Sequence, residues 1–87
     1  MKHATPARLD SIEPLLESLR KFEALRERKR GIFYLKSTAY LHFHEDPAGL
    51  FADVKLKGKW SRLNVSAATI RKELLAAVRR DLSGSGS

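Results

Sequence analysis

Residues 39–65 read AYLHFHEDPAGLFADVKLKGKWSRLNV, and their alternation decides the fold. Apolar side chains recur at every second position, and two turn signals interrupt them. That is the period of half-buried strands. In the first segment Ala39, Leu41 and Phe43 share one face, while Tyr40, His42 and His44 share the other. In the second, Leu50, Ala52, Val54 and Leu56 oppose Phe51, Asp53, Lys55 and Lys57. Asp46-Pro47-Ala48-Gly49 is a turn, with Pro47 pre-set for its second position. Lys57-Gly58 is a tighter one.

These turns predict a register. Glu45 pairs with Leu50, Phe43 with Ala52, Leu41 with Val54 and Ala39 with Leu56. The second turn sets Leu56 against Lys59, Val54 against Ser61, Ala52 against Leu63 and Leu50 against Val65. A slip by one residue would mix the faces. On the polar face His42 then lies opposite Asp53, Asp53 opposite Arg62, and Lys55 opposite Trp60.

Working outward, Ile12, Leu15, Leu16, Leu19, Phe22 and Leu25 recur at three and four residues and predict an amphipathic first helix. Ser11 or Asp10 can cap it, Pro14 falls in its first turn, and the cationic run RERKR followed by Gly31 ends it. Residues 32–45 are one long strand or a hairpin turning at Lys36-Ser37, with the hairpin favoured. Ser66 caps a second helix reaching about Leu82, with Ile70, Leu74, Ala77 and Val78 inward. Residues 1–9 read as a flexible lead, 10–82 as a single α/β domain and 83–87 as a flexible Gly/Ser tail. The expected fold is α+β: a two-layer α/β sandwich in the order α-β-β-β-β-α. Its antiparallel sheet of three or four strands carries an N-terminal and a C-terminal helix on one face.

Composition narrows the function. The chain of 87 residues has no cysteine, which excludes thiolate zinc sites, disulfides and cysteine nucleophiles. No apolar run approaches a membrane span and no secretory h-region opens the chain, so a soluble cytoplasmic protein without membrane contact is expected. The net charge of +7 and pI near 10.2 favour a polyanionic partner. The expected ligand-binding residues are Tyr40, His42, His44, Phe51, Lys55, Trp60 and Arg62, on a face that no third layer covers. Its aromatics suit stacking of single-stranded RNA or DNA bases and its cations suit phosphates, with Arg26, Arg28, Lys29 and Arg30 as further charge. No RNA-recognition-motif run is present. The same face suits a protein partner or a homodimer. Lysines at 55, 57 and 59 also serve simple solubility at turns.

His42 and His44 have a real metal-ligand spacing, with Asp53 near enough to offer a carboxylate. They are similar to the His-x-His of cupins in spacing only, because the downstream histidine is missing. Arg62 competes for Asp53 and the surroundings are cationic, so no metal is expected. No nucleophile elbow and no Gly-rich phosphate loop is present, and a His42–Asp53 pair is what a half-exposed histidine commonly finds. No catalytic residue, no cofactor and no enzymatic activity is therefore expected.

The core LHFHED…GLFADV resembles that of small uncharacterised bacterial proteins, over roughly residues 31 to 80. The resemblance implies a compact α/β domain and transfers no site residue. The helices-on-one-face layout also looks like the frataxin arrangement, but the acidic ridge that holds iron there has no counterpart in a first helix of mixed sign.

Overall fold

The computed structural model describes residues 2–84. Its elements are β1 (Lys2–His3), α1 (Pro6–Asp10), α2 (Glu13–Arg20), β2 (Leu25–Lys29), β3 (Ile32–Leu35), β4 (Thr38–Asp46), β5 (Gly49–Leu56), β6 (Lys59–Asn64) and α3 (Ala68–Gly84). The strands form one six-stranded antiparallel sheet ordered β2-β3-β4-β5-β6, and β1 pairs with β4. The three helices and this sheet make an α+β chain, with more strands than the three or four expected.

The central register agrees with the alternation. Leu41–Val54, Phe43–Ala52 and Glu45–Leu50 pair across β4 and β5, and the ladder runs on to Asp46–Gly49. Ala52–Leu63, Val54–Ser61 and Leu56–Lys59 pair across β5 and β6. Val65 donates its N–H to the Leu50 carbonyl at 2.9 Å. The Lys57-Gly58 turn has φ of +50° and +80°, the two positive values that a tight primed hairpin turn needs. The hairpin at Lys36-Ser37 is also present, between β3 and β4.

Leu41, Phe43, Ala52, Val54 and Val65 are fully buried, in one cluster with Leu16, Leu19, Leu74 and Val78 of the helices. The covered face of the sheet is therefore the one the alternation assigned to helices.

Three expectations change. The first helix stops at Arg20, and LRERK forms β2 rather than a helix end. Phe22 and Leu25 continue the helical stripe by spacing, but LRERK also alternates: Leu25 is buried and Glu27 half-buried, while Arg26 and Arg28 are exposed. As a strand the segment pairs with β3, and Gly31, at φ +82°, turns a hairpin rather than capping a helix. Glu27 accepts the Gly31 N–H at 2.9 Å and also binds Arg20 of α2. A continuing helix could make neither of those bonds in this register.

The N-terminal lead is also built in. Thr5 caps α1, Ala4 donates its N–H to the Phe43 carbonyl at 3.1 Å, and Thr5 donates its N–H to Glu45 Oε1 at 2.6 Å. Neither Asp10 nor Ser11 caps α2. Its N-cap is Ile12, without a side-chain bond, and Ser11 turns its hydroxyl to the Arg8 carbonyl. Ser66 likewise does not serve as the expected cap: its Oγ accepts the Leu50 N–H at 3.0 Å. Ser83 and Gly84 belong to α3, and the rest of the expected tail lies outside the described residues.

The third change is a bulge in β4. Phe33 pairs with Leu41 but Tyr34 pairs with Ala39, leaving Tyr40 as an extra residue. The parity of the strand flips there. Tyr40 turns inward with 2% exposure and donates its hydroxyl to Asp81 Oδ2 of α3 at 2.8 Å. Ala39 faces Tyr34 instead of meeting Leu56, and the β4–β5 ladder stops at Leu41–Val54. Asp81 Oδ1 also accepts the Lys57 N–H at 2.9 Å, so one carboxylate ties α3 to the bulge and to the β5–β6 turn.

Truncating Leu41 leaves a cavity in a site with no exposure. Leu41→Ala should lower the unfolding free energy in urea by about 2–4 kcal/mol. Burial, and then the Asp81 carboxylate, push the Tyr40 phenol well above its ordinary range. A raised folded-state value favours the neutral phenol. Its contribution is complete below the unfolded phenol's value near ~10 and is lost as pH climbs above it. Urea titrations from pH 9 to 12 should show a smaller alkaline loss of stability in Tyr40→Phe than in the wild type; parallel curves would refute this role.

Candidate functional site

Strand alternation and the β4–β5–β6 register bring six of the seven expected ligand-binding residues to the sheet face away from the core. His42, His44, Phe51 and Lys55 are half-buried there, and Trp60 and Arg62 are exposed. Tyr40 is not among them, because the bulge turns it beneath α3. Tyr34 takes the aromatic role instead: Phe33 beside it is fully buried, so Tyr34 points away from the core. The Arg28 guanidinium stands over its ring, 5.0 Å from the centroid. The signal for Tyr34 was the IFYL alternation, but assigning its side required the parity of β4, which the bulge reverses.

The centre of this face is Asp53. Arg62 grips it with two bonds, Nε to Oδ1 at 2.8 Å and an Nη to Oδ2 at 3.1 Å. His44 Nε2 lies 3.1 Å from the same Oδ2. His42 is the backbone partner of Asp53, yet the neighbouring diagonal histidine, His44, takes the carboxylate. The His42 ring instead meets the His44 ring edge-on at 4.5 Å between centroids and tilts against Trp60 at 5.2 Å. Burial, then the neighbouring His44, lower the His42 pKa and favour the neutral ring. His44 Nδ1 is buried and has no hydrogen-bond partner.

Burial alone would raise the Asp53 carboxyl, but the bonds and charge of Arg62 outweigh it and hold the group below the usual carboxylate range. Trp60 is 49% exposed, the one large exposed apolar side chain among the described residues. The Lys55 ammonium stands 5.8 Å from its ring centroid. His42, Asp53, Trp60, Ser61 and Arg62 line an open depression of about 510 Å³.

Sequence reasoning missed a third histidine. His3 on β1 sits directly opposite His44 on β4, on the same side of the sheet. Treating residues 1–9 as a lead hid it. No protein-family description, no curated protein and no solved structure matches this chain.

The Asp53–Arg62 pair sets an acid-sensitive contribution to stability. A depressed carboxyl stabilises the fold above its unfolded value near ~3.9, and that contribution is lost as pH falls through the folded value. Asp53→Asn should cost about 1–2 kcal/mol at pH 7. The difference from wild type should be smaller at about pH 2 than at pH 7, since it fades as pH falls through the depressed folded value. Urea denaturation at both pH values checks this, and an equal deficit at both would show that the charge is not responsible.

Proposed function

We propose that the chain is a two-layer domain that binds single-stranded nucleic acid through its open sheet face. Trp60 carries the reading: a half-exposed indole on the β6 rim, with the Lys55 ammonium beside its ring, is what a stacking platform requires. Phe51 and Tyr34 extend the aromatic surface. Tyr34 and Trp60 stand three strands apart, roughly 14 Å at the usual strand spacing, a span suited to a short run of nucleotides. Lys55 and Arg28 supply phosphate contacts on the face, and Lys57 and Lys59 supply them from the β5–β6 turn at its edge. Arg62 contributes less, since Asp53 already holds it.

Stacking is worth about 1–3 kcal/mol per base, so two or three bases with a few phosphates give about micromolar binding once the cost of association is subtracted. The same exposed indole supports one alternative, association with a protein or a second copy, because exposed tryptophans anchor such interfaces.

Trp60 is the only tryptophan and reports on itself. Titration with oligo(dT) or oligo(U) at low salt should quench its fluorescence, and log affinity should fall linearly with log salt. Trp60→Ala, followed by anisotropy of a labelled oligonucleotide, should weaken binding about tenfold at every salt concentration. Lys57→Ala with Lys59→Ala should instead flatten the salt dependence. No binding at low salt would overturn the proposal, and a sedimenting dimer that Trp60→Ala dissolves would assign the face to protein contact.

A further inference from the structure

We propose that His3, His42 and His44 form a site for a divalent transition-metal ion of the zinc class, with Asp53 as the outer partner that orients His44. This does not rest on nucleic-acid binding. It starts from three imidazoles that two strands bring to one patch. His3 and His44 are register partners across β1 and β4. His42 lies two residues along β4 on the same face, its ring 4.5 Å from that of His44. One ligand atom each from His42, His44 and Asp53 lies within 4.8 Å of the others, and His3, opposite His44 on β1, joins them only by swinging its exposed ring inward.

Competition from Arg62 argued against a metal when Asp53 was the third ligand. The geometry changes that conclusion. Arg62 does occupy Asp53, but Asp53 also takes His44 Nε2. In the neutral ring that contact puts the proton on Nε2 and leaves Nδ1, which is buried, without a partner. An unpartnered buried acceptor is costly and uncommon. A histidine that gives one ring N–H to a carboxylate and turns the other nitrogen to a metal is the usual outer-shell arrangement. The Arg62 charge is offset by the same carboxylate, so a cation beside His44 does not face an uncompensated guanidinium.

The donor set selects the ion. Imidazoles without thiolates suit zinc, nickel or copper(II), whereas calcium and magnesium prefer oxygen. Two nitrogens on one zinc are at most about 4.2 Å apart, given bonds of roughly 2.1 Å. Seating the ion therefore takes rotation of the half-exposed His42 ring and of the exposed His3 ring toward His44. With three protein ligands, a fourth position stays open to water or to a group held in the depression beside Trp60.

The test uses the full chain stripped with EDTA, then titrated with zinc, nickel and cobalt(II), following melting temperature, calorimetric binding and the cobalt visible spectrum. The expected result is saturable one-to-one binding with a rise of several degrees in melting temperature. His42→Ala and His44→Ala should abolish it. His3→Ala should weaken it at least tenfold, and Asp53→Asn by about 10–100-fold. Calorimetry at low temperature on His44→Gln, checked by circular dichroism, separates lost binding from lost folding. No binding of any of the three ions up to about 1 mM overturns the proposal. So does binding that survives either His42→Ala or His44→Ala, and unchanged affinity in His3→Ala overturns the three-histidine set. Oligonucleotide titration in EDTA keeps the two readings apart, since it succeeds or fails without the ion.

Discussion

The pairing of β4 with β5 across the Pro47-Ala48 turn is the constraint on which the rest depends. Asp46 accepts the Ala48 N–H at 2.8 Å, which closes the turn, and Asp46 and Gly49 then face one another as the first rung. From that rung every side as far as Leu41 and Val54 is determined, because the strand period is two. Leu41, Phe43, Ala52 and Val54 go inward and His42, His44, Phe51 and Asp53 go outward. Ser66 reinforces the start of the ladder by accepting the Leu50 N–H, which joins the exit of β6 to the entry of β5. A core and a polar cluster of opposite character thus come from one turn, and neither can be repositioned without the other.

Most of this centre was legible in the sequence. The alternation from Leu41 to Leu63 is broken only at its two turns, and those turns on either side of β5 have composition that leaves few alternatives. The register about Asp53 agrees for the same reason, although His44 rather than the expected His42 takes its carboxylate. What failed was parity outside that block. Tyr40 was assigned to the open face by counting in twos from His42, and a bulge adds one residue at that point. Nothing in AYLH marks the bulge. Its cause is tertiary: Asp81 on α3 offers Tyr40 a partner forty-one residues away, and only the folded chain brings them together.

The other misreadings have a related origin. LRERK fits a helix by propensity and a strand by alternation, and local sequence does not choose between them. The choice follows from the unpaired rim of β3, which LRERK satisfies, and from the ionic group joining Glu13, Arg20, Glu27, Arg30 and Asp10. At the N-terminus, two residues of strand are too few to show a period. Lys2 and His3 are recruited because β3 reaches only as far as His42 along β4, which leaves the hydrogen-bonding side of His44 and Glu45 free for another strand. A histidine that looks incidental in MKHATP thereby becomes a neighbour of the central cluster.

The bulged outer strand β2 has a consequence for self-association. An open β-sheet invites identical chains to continue it, and long flat rims are where fibrils start. Here one rim carries Arg26, Arg28 and Lys29, kinked at Arg28 by the register shift against β3. The opposite rim, β6, carries Lys59 and Arg62. Joining copies rim to rim would bring like charges together along irregular backbone. Rim-to-rim extension is thus opposed by charge as well as by shape, and high salt, which screens the repulsion, removes the first of these obstacles.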